Sequence, residues 1–364
     1  MATTSNSGRT TVRMIQAYFQ EASPIMFFSS FFRTPAENFH NSEEVEIDIE
    51  RSDEDIATVI TDLSTGGVVN SFDQYTNKRF KPPVYKEIGT LTAFDLLSRT
   101  AGDDPFKDVS FQANATRRAF RIFRKLENKV RRAVELMASQ VLQTAVLTLR
   151  DEAGNAAYSL NFAPKATHFP TASVAWNNAS STKRNDIDAL AQVIRTDGLI
   201  DPNVLIFGDM AWEEWITDTE IQTLLDNRRI GVGEIRPESR GEGATFQGFI
   251  WIGNYRYEMW TYTGRYKDPA DGVVKKYLND EKVIMMADGA CMDLTYGSIP
   301  LIQRQGPGLS YLPDRMTSTG GGFGMTTNSW VNGEGTHLNV SAGTRPLTIP
   351  TAIDQYGCLD VNIT

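Results

Sequence analysis

The chain has 364 residues, with 45 Asp and Glu against 36 Lys and Arg, a formal net charge of −9 and a sequence pI of about 5.0. At 41% hydrophobic and 22% charged residues it has room for two domains, or for one large domain with extensions. The acidic balance excludes a surface that wraps nucleic acid over most of its area. Two cysteines, Cys291 and Cys358, make neither a disulfide framework nor a zinc site and are expected to be reduced in a cytoplasmic setting. The polar start Met1 to Thr11 lacks a signal-peptide core, and the longest apolar runs, Pro24 to Phe32 and Val283 to Ala287, are too short to span a bilayer. A soluble, cytoplasmic product is expected.

Residues 1–10 read as a polar arm, and Thr11 to Gln20 carries Val12, Ile15 and Phe19 at helical spacing. Beyond Pro24 comes an aromatic run, Phe27, Phe28, Phe31 and Phe32, followed by Arg33. Two readings stay open for it: a piece of core, or an arm packed on a neighbouring subunit. Val45, Ile47 and Ile49 alternate with Glu46, Asp48 and Glu50, the period of a half-buried strand with an acidic face. Thr65 to Asn77 is polar and turn-rich, so residues 46–92 read as a long hairpin projecting from the body. Its return passes through Phe80, Lys81, Pro82, Pro83, Val84, Tyr85 and Lys86. The two prolines fix φ and remove two donors, making a stiff segment or sheet edge whose cationic and aromatic side chains suit contact with another chain.

Residues 113–150 show the clearest helical pattern, with Phe123, Leu126, Val130, Ala133, Met137 and Val141 on one stripe and no Pro or Gly until Gly154. Ala157 to Phe162 reads as a strand, Asp186 to Gly198 as a helix stopped by Gly198, and Val204 to Phe207 as a buried strand. Helical stretches follow at Asp209 to Asp218 and Glu220 to Asn227. Gly231 to Gly248 reads as an excursion with little to pack, Phe249 to Tyr262 as two strands around Gly253-Asn254, and Tyr277 to Met286 as another strand. Gly306 to Gly324 is loose, and Val340 to Thr364 ends in short strands. Strands and helices alternate without βαβ order, so the fold class is α+β.

Catalytic templates are missing. His40, His168 and His337 lie far apart in sequence and outside any metal-binding spacing, so each reads as an ordinary polar loop residue. Gly320 to Gly324 lacks the Lys-Ser/Thr of a phosphate loop, and there is no nucleophile elbow. No catalytic residue, metal or cofactor is expected. Eight basic residues lie between Arg117 and Arg132, Arg121, Arg124 and Arg131 among them, against Glu127 alone. Three readings are open: a solvated face, contact with enclosed DNA, or pairing with the acid cluster Glu43 to Asp55 that includes Glu46, Asp48 and Glu50.

The run Phe80 to Lys86, then Leu96-Leu97-Ser98-Arg99 and Gly102-Asp-Asp-Pro105, resembles the signature of the lambda-type major capsid protein E family of tailed bacteriophages. Further similarities follow in order: Phe31-Phe32-Arg33, Arg117-Arg118, Glu135 to Ala138, Trp176, Asn203 to Phe207 with Trp212, Tyr262 to Asp268 with Gly272 and Tyr277-Leu278, and Ser329-Trp330-Val331. Asn279 stands where the family has Pro.

The resemblance implies the Hong Kong 97 type capsid fold: an N-terminal arm over 1–45, an extended loop over 46–92, a peripheral domain over 93–184 with a spine helix at 113–150, an axial domain over 185–328, and a return to the peripheral domain over 329–364. It implies pentamers and hexamers in an icosahedral virion shell around double-stranded DNA, assembled in the host cytoplasm. Scaffold, portal and possible decoration proteins are the implied partners, with DNA held on the inner face without sequence specificity and no membrane. It favours the arm reading of the Phe run, and it makes the intersubunit candidates Phe27, Phe28, Phe31, Phe32, Arg33, Phe80, Lys81, Pro82, Pro83, Lys86 and Arg99. A bacterial compartment shell enclosing enzymes and a hydrolase with paired carboxylates are the alternatives.

Overall fold

The computed structural model describes residues 27–35, 38–40, 44–50, 75–97, 111–151, 153–225, 233–241, 243–290, 292–299, 301–305, 308–312 and 324–363. The sequence-predicted helix at Thr11 to Gln20, the loop tip before Tyr75, Arg99 and the Gly102-Asp-Asp-Pro105 turn, Cys291 and the Thr319-Gly-Gly-Gly322 run lie outside these residues.

After a short helix α1 (Ala93–Leu97), the apolar stripe produces α2 (Phe111–Thr144), 34 residues long and so roughly 50 Å at 1.5 Å per residue. Ala119, Phe123, Leu126, Val130, Val134, Met137, Val141 and Leu142 are its buried face. The helix stops at Thr144, six residues short of the sequence-predicted end. Ala145 turns to a positive φ of 51°, and Val146–Arg150 becomes a strand paired with Ala156–Asn161. Residues 145–150 hold no Pro or Gly that would end a helix, and only the alternation of Leu147 and Leu149 marks the strand.

Nineteen strands, β1 to β19, are assigned among the described residues. The largest sheet has six, ordered β19 (Tyr356–Asp360), β12 (Lys282–Met286), β6 (Val204–Phe207), β9 (Tyr255–Tyr262), β8 (Ala244–Ile252) and β7 (Gly233–Gly241), with β6 and β9 parallel and the other pairs antiparallel. Its two faces bury different clusters. Leu205, Phe207, Val283, Met285 and Leu359 pack with helices α3 (Lys183–Gly198), α4 (Asp209–Thr217) and α5 (Thr219–Leu225) through Ile187, Leu190, Ile194, Trp215 and Ile221. Val204, Ile206, Ile284, Met286 and Cys358 pack on the other side with Val134 to Leu142 of α2. The alternation along each strand is what makes a sheet covered on both faces.

The first half of α2 covers a second, three-stranded sheet, β16 (Thr326–Val331), β17 (His337–Thr344) and β3 (Tyr85–Thr92). Helix and sheet approach closely at Gly89, where a Cβ would stand 2.3 Å from Ile122 Cγ2. Two smaller ribbons complete this region: β4 (Val146–Arg150) with β5 (Ala156–Asn161), and β10 (Arg265–Lys267) with β11 (Val274–Lys276). β13 (Met292–Tyr296) pairs with β18 (Pro346–Pro350), and β14 (Leu301–Gln305) with β15 (Gly308–Leu312).

Several expectations change. Gly231 to Gly248 is not an unpacked excursion: Gly233–Gly241 pairs with β8, with register shifts that straddle Pro237, where a missing donor is tolerated. Helix α3 begins three residues early, and its left-handed terminus falls on Leu199 (φ 52°). Gly198 is required instead by the Asp354 carbonyl oxygen, 2.4 Å from where its Cβ would sit. In the tail, β19 closes the edge of the six-stranded sheet and also packs on α2, the Tyr356 hydroxyl donating to the Val141 carbonyl at 3.2 Å. The hairpin also divides: β1 (Val45–Glu50) pairs with β2 (Tyr75–Phe80), while β3 leaves for the three-stranded sheet.

Candidate assembly surfaces

The segment after Pro24 enters the subunit's own core. Phe27, Phe28 and Phe32 are buried, Phe28 completely, and Phe31 packs against the same cluster. Phe27 stacks on Tyr262 with ring centroids 5.1 Å apart, and Phe28 meets the same ring edge-on at 4.7 Å. These three rings lie in the core of their own subunit, as the core reading expects. Beyond them the backbone runs along β13, with Arg33 N–H donating to the Met292 carbonyl at 2.9 Å and Leu294 N–H to the Arg33 carbonyl at 2.8 Å, leaving the Arg33 side chain exposed.

Glu135, at the middle of α2, clasps this segment. Its carboxylate accepts from Phe28 N–H at 2.7 Å, Ser29 N–H at 2.9 Å and the Tyr262 hydroxyl at 2.9 Å, and it is fully buried. Burial pushes the carboxyl up from its ordinary value, against the opposing pull of the three donors. Sequence reading quoted Glu135 for resemblance and missed this role. An acid set among the apolar residues Val134, Met137 and Ala138 was the available signal.

The ribbon β1–β2 is anchored by Val45 and Phe80, both buried, with Phe80 against Phe162 at 5.7 Å. It pairs with no third strand among the described residues. Glu46, Asp48 and Glu50 occupy alternate positions of β1, opposite Arg79, Asn77 and Tyr75. From Phe80 the strap Lys81 to Val84 crosses to β3. Phe80 and Pro82 are buried in their own subunit, and Lys81 and Lys86 are exposed with Pro83 half-buried.

The strap borders an open cavity of about 1610 Å³ between α2, β3, β4–β5 and β10–β11. Lys129 pairs with Glu87 across its wall at 2.7 Å. On the rest of α2, Arg117, Arg121 and Arg124 are exposed, but Arg131 turns inward and is 8% exposed, held by Glu127 at 2.8 Å. The basic stripe is thus two surfaces, and Arg131 belongs to the core. The partner cluster proposed for it extends to residues 51–55, outside the described residues.

Among the described residues no three His, Cys, Asp or Glu converge as a metal site, and no helix is long and apolar enough to cross a membrane. His168 is not a loop residue in solvent but is buried, its Nδ1 2.9 Å from the Tyr356 carbonyl and Nε2 3.2 Å from Asp197. Cys358 is a free, buried thiol pushed up to about 12 by burial.

Solved structures share this fold. A candidate capsid protein of a prophage of E. coli CFT073 is 17% identical, with 96% of this chain and 98% of that chain covered and a TM-score of 0.63. A phage-related protein from Bordetella bronchiseptica RB50 is 10% identical, with 96% of each chain covered and a TM-score of 0.50. The capsid of Ralstonia phage GP4 is 12% identical over 94% of this chain and 89% of that chain, with a TM-score of 0.47. At these identities the likeness is one of fold, the Hong Kong 97 type, an α+β body with a long helix. No curated protein matches the chain in sequence. The sequence profile of phage major capsid protein E matches residues 11–355: the chain belongs to that family. It is a phage major capsid protein, which builds the shell of the virion from oligomers of itself.

Proposed function

We propose that copies of this chain form pentamers and hexamers of an icosahedral head enclosing double-stranded DNA, and that the β1–β2 ribbon carries contact between subunits. The supporting observation is the ribbon itself: two strands rooted in the core by Val45 and Phe80, with no third strand among the described residues. An isolated two-stranded ribbon is marginal in water, and its open edges pair or pack on another chain. A scaffold protein, a portal and a decoration protein are the partners such a shell would recruit, and DNA would meet the inner face through charge without reading sequence.

The test is to express the full chain, with and without a scaffold protein, and image the product by electron microscopy. Replacing residues 51–74 by an Asn-Gly turn shortens the ribbon while keeping a hairpin-compatible connection. Folded subunits that no longer form closed particles are expected. Normal shells from the shortened chain would remove the ribbon from the assembly contact.

A further inference from the structure

We infer that strand β16 is a joint between copies of this chain: two β16 strands pair antiparallel about a twofold axis and join two three-stranded sheets into one. The inference goes beyond the ribbon and uses none of it; a second copy is the partner because the chain belongs to a shell-building family. Backbone geometry carries it. Asn332 N–H donates to the His337 carbonyl at 2.9 Å, and on the far side of β17 Ala93 N–H donates to the Thr336 carbonyl at 3.1 Å. With the register running from Thr326↔Gly343 to Val331↔Leu338, the alternation of an antiparallel ladder turns the N–H and C=O groups of Thr326, Asn328 and Trp330 toward β17. Those of Thr327, Ser329 and Val331 point the other way. Among the described residues β16 has no neighbour on that side, so a row of donors and acceptors stands open.

This edge lacks the usual protection. Edge strands are kept from pairing by charge, proline, bulges or a cover. At one edge of the six-stranded sheet, β7 holds Glu234, Arg236, Pro237, Glu238 and Arg240, with two register shifts. At the other edge β19 is covered, Ala172 N–H donating to the Asp360 carbonyl at 2.7 Å and Asp360 N–H to the Pro170 carbonyl at 3.0 Å. Strand β3, at the opposite edge from β16, holds Lys86 and Glu87. Strand β16 reads Thr-Thr-Asn-Ser-Trp-Val, with no charge, proline or register shift. It also exposes an apolar side chain on each face. Val331, 60% exposed, shares the α2 face with Leu338 and Leu91, and Trp330, 38% exposed, lies on the opposite one. In a chain of net charge −9, two copies approach most easily where neither carries charge. Centring the pair on Ser329 sets Ser329 against Ser329, Thr327 against Val331 and Asn328 against Trp330. The open backbone groups then find partners, and Trp330 and Val331 gain cross-strand neighbours.

Disulfide trapping in the full chain with Cys291→Ser tests this register. A hydrogen-bonded antiparallel pair has its Cα atoms about 5.5 Å apart, inside the roughly 4.4–6.8 Å that a disulfide spans. Oxidised shells of Ser329→Cys should run as covalent dimers on a non-reducing gel. Thr327→Cys and Val331→Cys shells should each run as monomers and link only when the two subunits are mixed. Shells in which Ser329→Cys stays unlinked overturn the pairing and leave the shell reading standing. Linked dimers that never close into shells support the pairing and remove the shell reading. Links in Thr327→Cys or Val331→Cys alone, with none at Ser329, overturn the inference as well. In a second arm, Ser329→Pro removes an outward donor and leaves the subunit's own ladder intact, and Val331→Lys puts a charge at an exposed edge position. Each should cut particle yield roughly tenfold, with thermal unfolding of the free subunit unchanged. Normal yield from both overturns the inference, and if Ser329→Pro fails to fold, Val331→Lys alone decides.

Discussion

Replacing Glu135 by Ala removes the acceptor that three donors share. Phe28 N–H and the Tyr262 hydroxyl make buried hydrogen bonds to this carboxylate, while Ser29 N–H is only partly buried. Orphaning a buried donor costs about 1–3 kcal/mol. The relief of a desolvated carboxylate offsets part of that, so Glu135→Ala should lose about 2–4 kcal/mol in urea unfolding of the unassembled full chain. The pH dependence provides a second readout. The folded carboxyl is raised above its ordinary 4.5, so its stabilising contribution is complete below that value and is lost as pH rises through the folded pKa. Wild type should therefore gain stability relative to Glu135→Gln as pH is lowered from neutrality through the raised pKa, while Glu135→Gln shows no such term. Limited proteolysis near Phe27 should speed up in the Ala variant, because its anchor is gone. A loss below about 0.5 kcal/mol, with unchanged proteolysis, would refute the clasp.

Three further outcomes follow from the packing. Gly89→Val should cost about 1–3 kcal/mol by overpacking against Ile122, with partial recovery in Ile122→Ala; a neutral single substitution in thermal unfolding would contradict the 2.3 Å approach. Glu127→Gln should cost about 3 kcal/mol by removing the carboxylate charge beside the buried Arg131 cation, while Glu127→Leu with Arg131→Met should lose much less, and equal losses would show that the pair itself is the stabilising unit. In a Cys291→Ser background Cys358, whose thiol is buried and pushed up to about 12, should stay unreactive toward a disulfide reagent at pH 8 until denaturant is added; prompt labelling of the folded chain would show that this strand opens.

Periodicity was enough to read elements whose pattern points one way. The stripe from Phe123 to Val141 makes a helix in any context, and Val204 to Phe207 makes a buried strand because four apolar residues bounded by polar ones satisfy nothing else so well. The capsid family was legible too, because its short motifs survive in order along the chain. Tertiary structure decided the places where local pattern fits two answers. No Pro or Gly over residues 145–150 ends the helix, and pairing with β5 makes the segment a strand. The charged Gly233–Gly241 is held as a strand by the ladder to β8. The run Phe27 to Phe32 faces its own core because Glu135, 107 residues from Phe28, supplies the acceptor that its backbone needs. Arg131 resembles its basic neighbours in sequence, but its place on α2 brings it to Glu127 and away from solvent. The open cavity beside α2 is the extreme case: its lining runs from Lys81 to Arg345. Patterns with a period of two or 3.6 report on neighbours along the chain, whereas charge gathered by four separate elements exists only once they have packed.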